Sequence, residues 1–135
     1  MPESFNFKNI GFATLAIILI LTIIGWVWSW SPATFSVKDV VAEQANALQV
    51  EPVVGFATTT AVIEVGDTLL HKTGGYLSND IAPPGVLMDN MPAWEFGVLE
   101  MLRDVTLALR KDFSRSQSQS VENEFLVKAQ PNLNI

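Results

Sequence analysis

Three carboxylates near the middle of the chain are the residues best suited to acid and base chemistry. Asp80, Asp89 and Glu95 bracket a stretch rich in glycine and proline, and they would supply a general acid and a general base if the fold brought them together. Paired carboxylates hydrolyse glycosidic bonds, so cell-envelope glycan is the substrate class that they suggest. Each residue also has a local explanation, because Asp80 and Asp89 stand in turn dipeptides and Glu95 in the first turn of a predicted helix. Catalysis therefore stays the alternative to a non-catalytic role.

Other catalytic and metal-binding chemistries lack the residues that they need. The chain has no cysteine and a single histidine, His71, which removes a cysteine nucleophile and thiolate zinc sites. Ser78, His71 and Asp80 are the residue types of a catalytic triad, but no nucleophile-elbow sequence surrounds Ser78. Motifs for phosphate loops, dinucleotide sites and zinc proteases are absent. The sequence therefore predicts neither a metal nor a cofactor.

The segment 10–30 is the element that must position everything after it. No charged residue occurs between Lys8 and Lys38, and a helix of this length spans about 31 Å, close to the hydrocarbon thickness of a bilayer. Trp26, Trp28 and Trp30 at its far end are predicted membrane-interface residues. The alternative is a cleaved signal peptide, but the apolar run exceeds the usual length of about 7–15 residues and no clean cleavage site follows. We predict a transmembrane helix.

Sidedness and charge define the surroundings of the remaining chain. A short N-terminus before a first span usually stays in the cytoplasm, so we expect residues 1–9 to be cytoplasmic and the C-terminal part to be periplasmic, in a bacterial inner membrane. The net charge of −6 belongs to that C-terminal part, because Glu3 and Lys8 cancel. An acidic domain repels nucleic acid. The predicted partners are therefore the lipid bilayer and a membrane or periplasmic protein.

Residues 31–113 are predicted to form a small domain of about three helices with a long irregular loop. The helices run from an N-cap at Ser36 to the Glu-Pro pair at 51–52, from about 59 to 72, and from 92 to about 113. The second contains β-branched residues that would also suit a strand. The loop occupies 74–91, where turn-forming pairs follow one another. Residues 114–135 are interpreted as a polar linker and tail.

Apolar periodicity identifies a core and a candidate contact face. The core is predicted to form around Leu48, Val65, Leu69, Trp94, Met101 and Val105. One stripe of the third helix is a candidate face for a protein partner, and it consists of Trp94, Val98, Met101, Leu102, Val105 and Leu109.

Several strings resemble a bacterial family classified only as a domain of unknown function with an N-terminal membrane anchor. They are TGGYLSND at 73–80, PPGV at 83–86, DNMP at 89–92, WEFG at 94–97 and DFSRSQSQS at 112–120. The resemblance implies a single-pass inner-membrane protein with a largely helical soluble part, and it transfers no catalytic or binding residue. Family members are longer, so we interpret this chain as truncated relative to them.

We therefore expect an all-α protein with one N-terminal transmembrane helix and a small helical extramembrane domain. Its expected role is non-catalytic, as an interaction module or an accessory subunit of a membrane assembly. The alternative is a periplasmic, carboxylate-dependent hydrolase that acts on cell-envelope glycan.

Overall fold

The computed structural model describes residues 7–113 and 123–133, and these residues form helices and loops without a β-strand. Five α-helices follow one another: α1 (Phe7–Trp28), α2 (Val37–Leu48), α3 (Phe56–His71), α4 (Asn90–Ala108) and α5 (Glu124–Asn132). A 3₁₀ turn at Gly85–Leu87 lies in the loop before α4, and a π-helical turn at Leu109–Phe113 follows it. The predicted all-α class is confirmed. The serine-glutamine run at 114–120 lies outside the described residues.

Helix α1 is long and apolar enough to cross a membrane. Its 22 residues rise about 33 Å, and its most apolar window has a mean hydropathy of 2.5 with none of its residues buried. This lack of burial distinguishes α1 from the core helix of a soluble protein. Two hydroxyl groups near its C-terminal end bond to the helix backbone: Thr22 donates to the carbonyl of Ile18, and Ser29, the residue after α1, donates to that of Gly25.

Local capping explains where α2 and α3 begin. The Ser36 hydroxyl accepts a hydrogen bond from the amide of Asp39, as the N-cap pattern predicted, and Gln49 ends α2 in the left-handed conformation. Helix α3 starts at Phe56, three residues before the expected start, because Gly55 turns the chain with a φ of +90°. The β-branched residues that suited a strand lie inside α3, which packs against both α2 and α4.

The core lies between α3 and α4. Leu69, Leu99 and Leu102 form its buried centre, and partly buried apolar side chains surround them: Val62, Val65, Tyr76, Trp94, Val98 and Leu133. The predicted core was wrong at Leu48 and Met101, which are 61% and 65% exposed. The buried stripe of α4 instead runs through Met91, Glu95, Leu99, Leu102 and Thr106. Two of these residues are polar, so a search for apolar periodicity alone misplaced the inward face.

Helix α5 lies in the segment 114–135, whose composition predicted a polar linker and tail. The Asn123 side chain caps it by accepting from the amides of Phe125 and Leu126. The carbonyl of Leu133 accepts a hydrogen bond of 2.6 Å from Nε of Arg103, which joins the end of this segment to α4. The described part of the tail therefore packs onto the domain.

Candidate functional site

A buried ion pair joins the end of α3 to α4. Lys72 follows the last residue of α3, and Glu95 lies on the inward face of α4. Lys72 Nζ lies 2.5 Å from Glu95 Oε1, and the two side chains are 2% and 0% exposed. Buried charges are costly unless they are paired and hydrogen-bonded, so this pair must be well satisfied to persist.

The loop that leaves α3 wraps around the Glu95 carboxylate. The amide of Leu77 donates to both carboxylate oxygens at 2.8 and 3.0 Å, and the amide and the hydroxyl of Ser78 each donate to Oε2 at 2.7 Å. Lys72 also donates to the carbonyl of Gly75. We call these five residues, Lys72, Gly75, Leu77, Ser78 and Glu95, the Glu95 clasp. The clasp holds the loop in one conformation between two helices.

The clasp keeps Glu95 ionised. Burial raises the pKa of this carboxyl, but the hydrogen bonds from Lys72, Leu77 and Ser78 together outweigh burial and hold the pKa below its ordinary value. A general acid needs a raised pKa and access to its substrate. Glu95 has a lowered pKa and no exposed surface, which suits a structural carboxylate.

Acid should weaken the domain through this carboxyl. Because the folded-state pKa lies below the unfolded value of about 4.5, the contribution of Glu95 to the free energy of unfolding is complete above that pH and is lost as the pH falls through the folded-state pKa. Urea titrations of the detergent-solubilised chain between pH 7 and pH 3 should show this loss. The loss of unfolding free energy between pH 7 and pH 3 should be smaller in Glu95→Gln than in the control Glu124→Gln. An equal dependence of the unfolding free energy on pH in the two variants would show that Glu95 is not the carboxyl responsible.

The other two candidate carboxylates have different surroundings. Asp80 is half-buried, its amide donates to the carbonyl of Leu77 at 2.9 Å, and a Cβ on Gly85 would overlap its carboxylate. Asp89 is exposed at the N-cap position of α4 and makes no capping hydrogen bond through its side chain. Within residues 7–113 and 123–133, no group of three or more acidic, histidine or cysteine side chains is arranged to hold a metal. Only Glu95 of the three candidates lies in the clasp.

His71 lies on the surface of α3. Its Nδ1 is 2.8 Å from Oδ1 of Asp67, one helical turn earlier, and both side chains are largely exposed. The hydroxyl of Ser78 donates to Glu95. Of the Ser78, His71 and Asp80 combination considered from the sequence, Ser78 thus lies in the clasp, His71 lies in a surface pair with Asp67, and Asp80 lies in neither.

The loop held by the clasp also contacts the C-terminal end of α1. A Cβ on Gly74 would lie 2.8 Å from Cγ of Trp28, so the loop backbone lies directly on that indole. The Asn90 side-chain amide donates to the carbonyl of Ser29 at 3.3 Å. The domain is therefore docked on α1 through two contacts that lie far apart in the sequence.

A third contact lies further along α1. A Cβ on Gly25 would lie 3.2 Å from Cβ of Pro84, closer than an ordinary van der Waals contact, so the proline ring packs directly on the glycine. Around this contact is a crevice lined by Ile18, Leu21, Thr22, Gly25, Pro83, Pro84, Leu87 and Met88. The apolar loop before α4 therefore lies alongside the helix that is long enough to span a membrane.

The three tryptophans predicted at the membrane interface divide into two groups. Trp26 and Trp30 are 64% and 57% exposed, and their rings meet edge to face with centroids 5.3 Å apart. Trp28 is half-buried and packs on Gly74. The sequence signalled an aromatic cluster, but only the fold separates the outward pair from the ring that contacts the domain.

Much of the candidate partner face is used inside the domain. Leu102 is buried in the core, and Trp94 and Val98 pack around it. Val105 and Leu109 are half-buried, whereas Met101 is exposed. The sequence did not predict the clasp. The available signal was that Glu95 lies four residues from both Met91 and Leu99, which places the three on one face of a helix.

Comparison with known proteins finds one family. The family model described as an uncharacterised protein conserved in bacteria, DUF2333, matches residues 3–135 and confirms the resemblance noted from the sequence. No curated protein and no solved structure matches the chain significantly. The family description states no activity, so a functional proposal must rest on the geometry above.

Proposed function

The chain belongs to the DUF2333 family of bacterial proteins, and we propose that it is a single-pass inner-membrane protein whose helical domain acts as a non-catalytic interaction module or accessory subunit. Helix α1 serves as the anchor, with residues 1–9 in the cytoplasm and the domain in the periplasm. The observation that carries this proposal is the docking of the domain on α1 through Trp28, Ser29 and Gly25. A flexible tether would not need such contacts.

The Glu95 clasp favours a role as a fixed structural platform and disfavours a role as an enzyme. Its charged groups are buried and bonded to one another, so they order the loop that contacts α1 and leave no group for a substrate. The glycan hydrolase has less support, because it would have to work through Asp80 and Asp89 without Glu95. A platform held at a fixed distance from the membrane suits the presentation of a surface to another protein.

Cysteine labelling tests the anchor and its sidedness. The chain has no cysteine of its own, so single substitutions report one position each. In cells with a permeabilised outer membrane, an impermeant maleimide should label Asn79→Cys, whereas Ser4→Cys should react only after lysis. The reverse pattern would contradict the proposed orientation. Release of the intact chain from membranes by alkaline carbonate would contradict the anchor.

Native mass measurement tests the interaction role. After extraction in mild detergent at endogenous expression levels, the particle should contain more protein mass than one chain. A second protein at a constant ratio supports an accessory subunit, and self-association supports an interaction module. A lone chain in several detergents would contradict both.

A further inference from the structure

The loop at 81–88 has the composition of a membrane-inserting segment. Its sequence is IAPPGVLM, without a charged residue, and it lies between Asp80 and Asp89. Ile81, Val86 and Leu87 are 94%, 51% and 79% exposed. The loop thus presents several large apolar side chains to its surroundings, and exposed apolar patches of this kind mark sites of interaction.

Its position beside α1 indicates what covers those side chains. The hydrogen bond from Asn90 to Ser29 places the C-terminal side of the loop level with the tryptophan-rich end of α1. Pro84 lies level with Gly25, which is about 6 Å further along α1 at the usual helical rise. The crevice then extends to Leu21 and Ile18, about 12 and 17 Å from Ser29 along the helix. The loop therefore runs from the end of α1 back along its apolar side.

The backbone of the loop suits an apolar environment. Unsatisfied amides are costly in lipid, which is why irregular chain rarely enters it. Here Pro83 and Pro84 have no N–H. The amides of Val86, Leu87 and Met88 donate to carbonyls within the loop at 3.0–3.2 Å. Five of the eight backbone nitrogens at 81–88 therefore need no partner from outside the loop.

The flanking charges set the limit of insertion. Carboxylates avoid hydrocarbon, so Asp80 and Asp89 would stay at the level of the headgroups. Because the Asp80 carboxylate lies against Gly85, insertion is shallow and is confined to the apolar side chains of the loop. Between them the loop offers apolar side chains alone, next to a helix whose exposed side chains from Ile10 to Trp26 are apolar apart from Thr14 and Thr22. Because α1 is proposed to be surrounded by lipid, we infer that lipid also covers the apolar side chains of the adjacent loop.

We propose that the loop at 81–88 inserts into the lipid leaflet on the domain side of the membrane, beside α1, with Ile81, Val86 and Leu87 in contact with acyl chains. The inference rests on the proposed function, since it requires α1 to span the bilayer. The loop then forms a second, non-helical membrane contact that fixes the height and the rotation of the domain.

Spin labels on single cysteines test this inference in the full chain, reconstituted in vesicles of phosphatidylethanolamine and phosphatidylglycerol. Leu87→Cys reports the loop, Leu19→Cys reports α1, and Val54→Cys is the matched control, an exposed valine in the loop between α2 and α3. Collision with oxygen reports lipid, and collision with a water-soluble nickel chelate reports water. We expect the oxygen-to-nickel ratio at Leu87 to be several-fold higher than at Val54 and lower than at Leu19, which lies deeper in the bilayer.

The possible results distinguish insertion of the loop from the membrane anchor on which it depends. A ratio at Leu87 equal to that at Val54, with Leu19 still in lipid, would overturn the inserted loop and leave the anchor intact. A label at Leu87 that neither reagent reaches would show that protein, from the same chain or from a second copy, covers this side of the loop, which also overturns insertion. Water accessibility at Leu19 would overturn the proposed anchor itself.

Discussion

Glu95→Gln is expected to lower the free energy of unfolding of the helical domain by about 3–5 kcal/mol, because it leaves the Lys72 ammonium buried without its counter-ion. Glutamine keeps the shape of the side chain and one accepting oxygen, so the loss combines the missing charge with the hydrogen bonds that the second oxygen accepted. The measurement is a urea titration of the full chain in detergent, followed by the helical circular dichroism signal.

A double-mutant cycle identifies the ion pair as the cause. Lys72→Met removes the other charge and keeps the length of the aliphatic stem, so Lys72→Met/Glu95→Gln should lose less stability than the sum of the single variants. The exposed pair between Glu124 and Lys128 supplies the matched control, and Glu124→Gln should leave the midpoint unchanged. Additive losses in the cycle would mean that the two buried groups do not stabilise each other.

Gly74→Ala is expected to weaken both the loop and its docking on α1. Its φ of +88° is unfavourable for alanine by about 1–2 kcal/mol, and the new Cβ would lie 2.8 Å from Cγ of Trp28, which adds about 1–3 kcal/mol from overpacking. The same urea titration measures the combined loss.

Gly55→Ala is the matched control for the backbone contribution. Its φ of +90° is nearly the same, but a Cβ there would meet nothing within 4 Å. The difference between the two variants therefore reports the contact with Trp28. Removing the ring in Trp28→Ala should bring the additional cost of Gly74→Ala close to that of Gly55→Ala. If the two glycine variants lost equal stability in the presence of Trp28, the domain would not be docked on that indole.

The helical class could be predicted from the sequence because helix formation and capping depend mainly on residues that are close together in the chain. The uncharged run at 10–30 predicted α1, and the Ser36 cap predicted the start of α2. Helix α5 escaped prediction, since nine residues with a proline near the end have little intrinsic helical signal. Tertiary packing and the Asn123 cap stabilise it instead.

The inward face of α4 could not be predicted from hydrophobicity. Glu95 was considered for catalysis because it brackets the glycine- and proline-rich loop together with Asp80 and Asp89, and its first-turn position was the local alternative. Its burial depends on Lys72 and on two amides of a loop that lies 17–18 residues away. Lys72 and the two amides do not form a local sequence pattern with Glu95, so its structural role follows only from the tertiary structure.

The sequence by itself determined the apolar N-terminal helix, the helical class of the described residues that follow it, and the lack of residues for thiolate chemistry. These properties follow from composition and from spacing over one or two helical turns. The tertiary structure decided that Glu95 is buried, that Trp28 faces the domain while Trp26 and Trp30 face outward, and that the loop at 81–88 lies along α1. Such contacts join residues that are distant in the chain, and their energies depend on burial and geometry that exist only after folding.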